Sequence, residues 1–332
     1  MRNQLSSFDS VPLPISMVMD ISIVIVGWNS KAYLEECLES LSVAPPSRTM
    51  EVIVVDNAST DGSADMVETK FPHVKLIRSA ENLGFAKANN LAIEQSCGRY
   101  VGLVNPDVRV LPGCLDALAD YLDKNPMVGN VGPRVLNSDM TLQSSCRRFP
   151  TLWNNLCSAT GLASAFKNSR LLSGEHMLFF PHNRTLAVDV LVGCFWMLRG
   201  DALKDVGLLD DTFFMYGEDV DWCQRCWKAG WKVVFFPGAE AIHHRGTSAA
   251  AQPVWSAVAQ QRSILHYWSK HYGFLGLLGI KSILFGRLVL RYLFGVASRF
   301  LSASKRAESG DRVHVSSACL QALLSGSAPR KA

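Results

Sequence analysis

Between Ala241 and Ala307 the sequence contains no aspartate or glutamate. Nine cations occupy that stretch: Arg245, Arg262, Lys270, Lys281, Arg287, Arg291, Arg299, Lys305 and Arg306. The 332-residue chain as a whole is close to balanced, with 33 Lys and Arg against 29 Asp and Glu and a net charge of +4. So mild a balance argues against a nucleic-acid partner. An acidic body joined to a basic, apolar segment points instead to an anionic surface. A cysteine framework is also missing. The nine cysteines are odd in number and scattered, which argues for free thiols in a reducing compartment. Cys223 and Cys226 form a lone CxxC with no second pair nearby and read as helix packing. The N-terminus has no basic region followed by an apolar run and a cleavage site, so no secretory signal is expected. The first strand is not followed by GxGxxG, which removes the main support for dinucleotide binding. A phosphate-binding GxxxxGK followed by Ser or Thr is absent, and so is a GxSxG nucleophile elbow.

What is present is a repeated strand, turn and helix pattern beginning at Asp20. The spacing predicts strands at Ile21–Val26, Glu51–Val55, Val74–Ile77 and Tyr100–Val104. It predicts helices at Tyr33–Leu41, Gly84–Gln95 and Leu111–Leu122. Residues 131–180 are less regular. A strand follows over Val188–Leu198, helices over Asp201–Val206 and from Gly217 to about Ala229, and a strand over Trp231–Phe236. Short, continuous apolar strands alternating with helices imply an α/β fold, a mostly parallel sheet covered on both faces. Ligands of such sheets bind at the C-terminal ends of the strands, where Asn29, Asp56-Asn57 and Asn105-Pro106-Asp107 fall.

Three acidic positions carry chemical promise. Asp56 ends a strand, where a carboxylate can meet a ribose, a base or a cation. Asp107 is stiffened by Pro106 and suits a hard cation, although Asn-Pro-Asp is also an ordinary turn. Glu218 and Asp219 open a helix after Gly217. Acids commonly cap helix starts, but the flanks Phe213, Phe214, Met215, Tyr216, Val220 and Trp222 are apolar. Acids in such surroundings are candidates for raised pKa values and general-base work. Adjacent His243 and His244 cannot both point the same way on a strand, so at most one meets a metal.

Seven segments in register carry a resemblance: Ser22–Asn29, Val54–Ser63, Glu81–Asn90, Val104–Val108, Val192–Arg199, Gly217–Arg225 and Ile242–Ser248. Together they resemble the inverting glycosyltransferases of family 2, with the GT-A fold, over roughly residues 20–273. Gln143–Pro150 and the ending Tyr267–Gly273 are most similar to the bacterial rhamnosyltransferase branch. The resemblance implies a nucleotide-sugar donor, Mg²⁺ or Mn²⁺, and a polyprenyl-linked or growing glycan acceptor. It implies donor contacts from Gly27, Asn29, Asp56, Asn57, Asn82, Gly84 and Asn105. Asn105-Pro-Asp107 stands where the family has its DxD, so Asp107 would be the main carboxylate on the metal, with His243 as a later ligand. Asp219 would be the catalytic base and Glu218 its supporting neighbour. Arg147, Arg148 and Asp221 are acceptor candidates. The expected donor is dTDP-rhamnose, with another nucleotide sugar such as a UDP-hexose as the alternative. A sugar nucleotidyltransferase would need a Gly-rich, Arg-containing loop that Gly27-Trp-Asn-Ser30 does not supply. A non-catalytic scaffold would not need Asp107, Glu218, Asp219 and His243 together. A processive synthase would carry a QxxRW segment, which is absent.

The segment after Gly273 is markedly apolar. On a helical wheel Lys281, Arg287, Arg291, Arg299, Lys305 and Arg306 fall in one arc of about 120°, with Leu, Ile, Phe and Val expected in the remainder. This favours amphipathic helices in an anionic membrane interface over a core helix or a span, and peripheral attachment to the cytoplasmic face of the inner membrane. The expected organisation is an extension over 1–19 and a GT-A domain over 20–273. That domain divides into a nucleotide half, 20–130, and an acceptor half, 131–273. A membrane segment over 274–306 and a disordered Ser, Ala and Gly-rich tail over 307–332 complete the chain.

Overall fold

The computed structural model describes residues 19–244, 252–298 and 306–325. Residues 1–18 of the expected extension, the motif residues 245–248, Arg299, Lys305 and the tail beyond 325 lie outside the described residues. The elements in chain order are β1 (Ile21–Gly27), α1 (Lys31–Val43), β2 (Met50–Asp56), α2 (Ser63–Lys70), β3 (Lys75–Arg78), α3 (Phe85–Ile93), β4 (Tyr100–Val104), β5 (Val108–Val110) and α4 (Cys114–Lys124). They continue with β6 (Val128–Leu136), β7 (Leu142–Gln143), β8 (Cys146–Arg147), α5 (Leu152–Ala159), α6 (Leu162–Ala165), β9 (Leu186–Ala187), β10 (Val190–Leu191), β11 (Phe195–Arg199) and α7 (Gly200–Val206). The last are α8 (Glu218–Lys228), β12 (Lys232–His243), α9 (Pro253–Ser298) and α10 (Arg306–Ser325).

The main sheet has the order β3-β2-β1-β4-β11-β6-β12-β5. Its first four strands are parallel. Strand β11 then runs antiparallel to β4 and β6, β12 parallel to β6, and β5 antiparallel to β12. Every residue of β1 is buried. Alternation sends Ile21, Ile23 and Ile25 to one face, against α1, α2 and α4, and Val24 and Val26 to the other, with α3, α7 and α8. The two covered faces explain why the strands read as continuous apolar runs. Cys223 and Cys226 are free thiols buried in the second of these cores.

Three expectations are corrected. The division at 130/131 falls inside β6, so the two halves share one strand of one sheet. The single strand expected over Val188–Leu198 is two, β10 and β11, separated by the turn at Val192-Gly193-Cys194. The tail is helical over Arg306–Ser325 rather than disordered. Its Ser and Ala content conceals an apolar stripe, Val315, Cys319 and Leu323, at helical spacing. That stripe closes a third core with Ile280, Leu284 and Leu288 of α9.

Helix α9 is broken at Gly273, whose φ of 63° lies in the left-handed region. The half before the kink is tied to the body. Tyr267 Oη donates to Gln224 Oε1 at 2.7 Å, and Ser263 Oγ donates to the Met215 carbonyl at 2.9 Å. In the half after it, Ile280, Leu284 and Leu288 are buried. On the wheel they fall among Lys281, Arg287 and Arg291, so part of the apolar surface packs on the cationic side. The surface left exposed carries Phe274, Leu275, Leu278, Phe285, Leu290, Leu293 and Phe294.

Candidate active site

The C-terminal ends of β1, β2 and β4 converge with the start of α8. The β2 end is held by its neighbours. The Asn57 side chain donates to Asn82 Oδ1 and to the Gly84 carbonyl, and accepts from the Leu83 N–H. Its backbone N–H donates to the Gly27 carbonyl. Asn29 Oδ1 accepts from the Thr60 N–H at 2.8 Å. Asn29, Asn57 and Asn82 therefore tie loops together with their polar atoms. Asp56 differs, for its Oδ1 is buried without a partner. Gly84 serves close approach, since a Cβ there would stand 2.4 Å from the Phe214 carbonyl oxygen. This contact docks the loop before α3 onto residues 213–217, which lead into α8.

Tyr216 and Gly217 adopt consecutive left-handed conformations, with φ of 68° and 89°. Such a conformation is costly for tyrosine and is stored where the surroundings over-determine it. It turns Glu218 and Asp219 into a cavity of about 470 Å³. Asn105, Arg147, Glu175, His176, Gly193, Cys194 and His243 line the same cavity, and Ile264, Tyr267 and Trp268 of α9 close it. Asp219 Oδ2 accepts from the Gly193 N–H at 3.3 Å, and the Asn105 N–H donates to the Cys194 carbonyl. The turn between β10 and β11 thus links the α8 acids to the β4 end.

Glu218 is buried and its Oε2 has no partner. Burial, and the neighbouring Asp219, push its carboxyl well above the usual range. Burial raises Asp219 as well, opposed by the Val220 N–H and the Arg147 charge. One of two such close carboxylates holds a proton readily while the other stays a base.

Across the cavity, His243 Nε2 lies 3.2 Å from Asp107 Oδ1. Its Nδ1 faces Gln143 Oε1 at 2.7 Å. Gln143 is fixed by donating Nε2 to Asn137 Oδ1 and to the His243 carbonyl. With Nδ1 as donor to that oxygen, Nε2 turns a lone pair to a carboxylate oxygen. This arrangement sets two lone-pair donors face to face, as a cation site needs. The buried, unpartnered Oδ1 of Asn105 lies on the same turn. This O and N donor set fits a divalent cation. Among the described residues no group of three or more His, Cys, Asp or Glu could hold a metal, so any further donors beside Asp107 and His243 would be of other kinds, such as Asn105 Oδ1. His244 points the other way, to Glu36, Ser138 and the Tyr33 ring.

The acceptor candidates separate. Arg147 reaches the cavity and contacts His176. Burial and the charges of Arg147 and Arg287 push His176 down to about 4, so the imidazole is neutral. Arg148, one residue past β8, does not line the cavity. It donates to the Arg170 carbonyl and covers the Phe179 ring at 5.3 Å. Asp221 is not at the cavity either. It is fully buried, and its carboxylate holds Arg225, Lys270 and His271 at 2.7–2.8 Å. The roles of Gln143 and of the 216–217 backbone had not been read from the sequence. Gln143 lay within a noted segment, but only the fold brings it 100 residues along the chain to His243.

Comparison with known proteins decides the family. The model of "Glycosyl transferase family 2" matches residues 22–207. The chain belongs to glycosyl transferase family 2. It is 30% identical over 306 residues to an N-acetylglucosaminyl-diphospho-decaprenol L-rhamnosyltransferase of Mycobacterium tuberculosis, covering 86% of this chain and 96% of that one. A low-salt glycan biosynthesis hexosyltransferase of Haloferax volcanii is 25% identical over 235 residues, 69% of each chain. A mannosyltransferase of Pyrobaculum calidifontis, solved with GDP-mannose and Mn²⁺, superposes with a TM-score of 0.53 at 17% identity, over 97% of this chain and 92% of that one. The chain is a glycosyltransferase with the GT-A fold. Residues 218, 219 and 243 lie past the family-model match, within a region where the fold extends the sheet through β12.

Proposed function

We propose that this glycosyltransferase moves rhamnose from dTDP-rhamnose to a polyprenyl-linked acceptor, with inversion at the anomeric carbon. The observation that carries the reading is the Asp219 carboxylate opening onto the cavity that Asn105, His243 and Arg147 also line. Asp219 removes the proton of an acceptor hydroxyl. The hydroxyl oxygen bonds to the anomeric carbon as the bond to the nucleoside diphosphate breaks on the opposite face. Glu218 keeps the base in a dry, acidic surrounding that raises its basicity. Asp56 is placed to meet the nucleoside, and Arg147 to meet an acceptor diphosphate. Asp107 and His243 would hold Mg²⁺ or Mn²⁺; the cation, when bound, neutralises charge on the departing diphosphate.

The choice of sugar and acceptor rests on the mycobacterial relative, whose name gives both a rhamnosyl transfer and a decaprenyl diphosphate. Membrane attachment rests on α9, which is long and apolar enough to cross a membrane by length and composition. Its cations interrupt that surface, and we read it as lying in the interface on the cytoplasmic side.

The test is nucleoside diphosphate release from a panel of nucleotide sugars, UDP-hexoses included, with and without a lipid-linked acceptor and with either cation. Acceptor-stimulated release from dTDP-rhamnose supports the reading. Release from another donor overturns the choice of sugar. Pyrophosphate exchange in its place overturns the transfer itself.

A further inference from the structure

The acid-free stretch after Glu240 has a counterpart. From Met140 to Gly174 there is again no Asp or Glu, while Arg147, Arg148, Lys167 and Arg170 are present. The two stretches are far apart in sequence, yet the fold sets them side by side. Tyr272 Oη at the kink of α9 donates to the Pro150 carbonyl at 3.1 Å. Two turns on, a Cβ at Gly279 would stand 2.9 Å from Leu152 Cδ1, so the glycine lets α5 lie against α9. Gly279 is on the side of α9 away from Leu284 and Leu288, which pack in the core shared with α10. Helix α5 therefore flanks the exposed apolar arc of α9.

Both partners present large apolar side chains outward. In and after α5, Trp153, Leu156, Phe166 and Leu171 are 44%, 41%, 52% and 67% exposed. On α9, Leu275, Leu290 and Phe294 are 78%, 63% and 61% exposed. A soluble protein rarely leaves so much apolar surface together. The charges beside it, Lys167, Arg170, Lys281, Arg287 and Arg291, are all positive, and the one acid within 151–178, Glu175, lines the cavity. A second copy docked face to face would set cation against cation. An anionic bilayer supplies both an apolar interior and complementary headgroups.

We infer that residues 151–178 and the half of α9 after Gly273 form one composite surface that seats on anionic phospholipid. The cavity lies at its edge. Pro150 and Asn155 from the start of α5, and Ile264 and Trp268 of α9, are part of the cavity wall. A lipid-borne acceptor then reaches Asp219 from the bilayer without leaving it. This rests on the membrane reading above, which assigned the interface to the C-terminal helix alone.

The experiment uses the full chain and vesicles of phosphatidylcholine with phosphatidylglycerol. Sedimentation is compared for the wild type, Trp153→Glu with Phe166→Glu, and Leu290→Glu with Phe294→Glu. Each pair sits on exposed positions, and each is expected to lower the vesicle-bound fraction about tenfold or more. Loss in the α9 pair alone overturns the composite surface and leaves the membrane reading standing. No binding by the wild type overturns both. A second readout needs no disruptive change. Brominated lipid should quench a component of the fluorescence that Trp153→Phe removes; equal quenching in both proteins overturns the proposal.

Discussion

Asp219 and Asp221 stand two residues apart in the first turn of α8, and their surroundings push them in opposite directions. Asp221 faces α9, whose Lys270 and His271, with Arg225 one turn on in α8, hold its carboxyl below the usual range against the cost of burial. Asp219 faces the cavity, where it has two backbone donors and a neighbouring acid, and burial raises it. The same residue type at the same helix end is thus a fastener on one side and, on the other, a carboxylate open to the cavity that we propose as the base. Helix-start chemistry alone does not separate them; the element packed opposite does.

The sharpest way to break this contrast is Asp219→Asn. Removing a positioned base is expected to lower turnover by about 10²–10⁴. Donor binding, followed by calorimetry, should persist. Near-normal nucleoside diphosphate release in this variant would remove the base from Asp219 and with it the contrast. Asp221→Asn should do the reverse. It leaves the partly exposed Arg225 and Lys270 without their counter-charge, and losing hydrogen bonds to a charged group costs on the order of 1.5–3 kcal/mol. Urea denaturation should show the loss, while the pH dependence of turnover keeps its shape in the protein that remains folded.

The third comparison is across the cavity. Gln143→Ala frees the His243 ring to turn away from Asp107. Loss of an outer-shell partner lowers metal affinity or activity about 10–100-fold. Mn²⁺ titration of activity should show a raised requirement that excess Mn²⁺ restores. A variant with an unchanged Mn²⁺ dependence would assign Gln143 to packing alone.

How far the sequence carried these distinctions follows from what is local. The strands β1, β2 and β4 are buried on both faces and short, so their continuous apolar runs announce them, and their polar ends mark the ligand edge. The acid pair at 218–219 was equally visible, because its flanks are apolar. Asp221 was misplaced at the acceptor because its partners are contributed by residues 270 and 271, about fifty positions away. Arg148 was misplaced because β8 is only two residues long, too short to show its alternation. The tail was read as disordered from composition, which does not register a stripe that needs α9 to bury it. The contact of α5 with α9 was illegible for the same reason: only the fold lays Leu152 on Gly279.

The smallest effect separates Glu218 from Asp219. Its carboxyl is raised by burial, so the folded state binds its proton more tightly than the unfolded state does. By linkage, stability from this group is complete below the ordinary carboxylate range and is lost as pH rises through the raised folded value. Glu218→Gln removes that loss. The variant should therefore gain thermal stability over the wild type at pH 8 and show no such gain at pH 4. Its turnover should keep the pH dependence of the wild type. Glu218 holds its proton through the range in which Asp219 ionises, so the substitution removes no charge there, and the acid limb of the pH–rate profile should stay in place. A limb that moves down would mean that Glu218 is ionised beside Asp219 and that repulsion, not burial alone, raises Asp219.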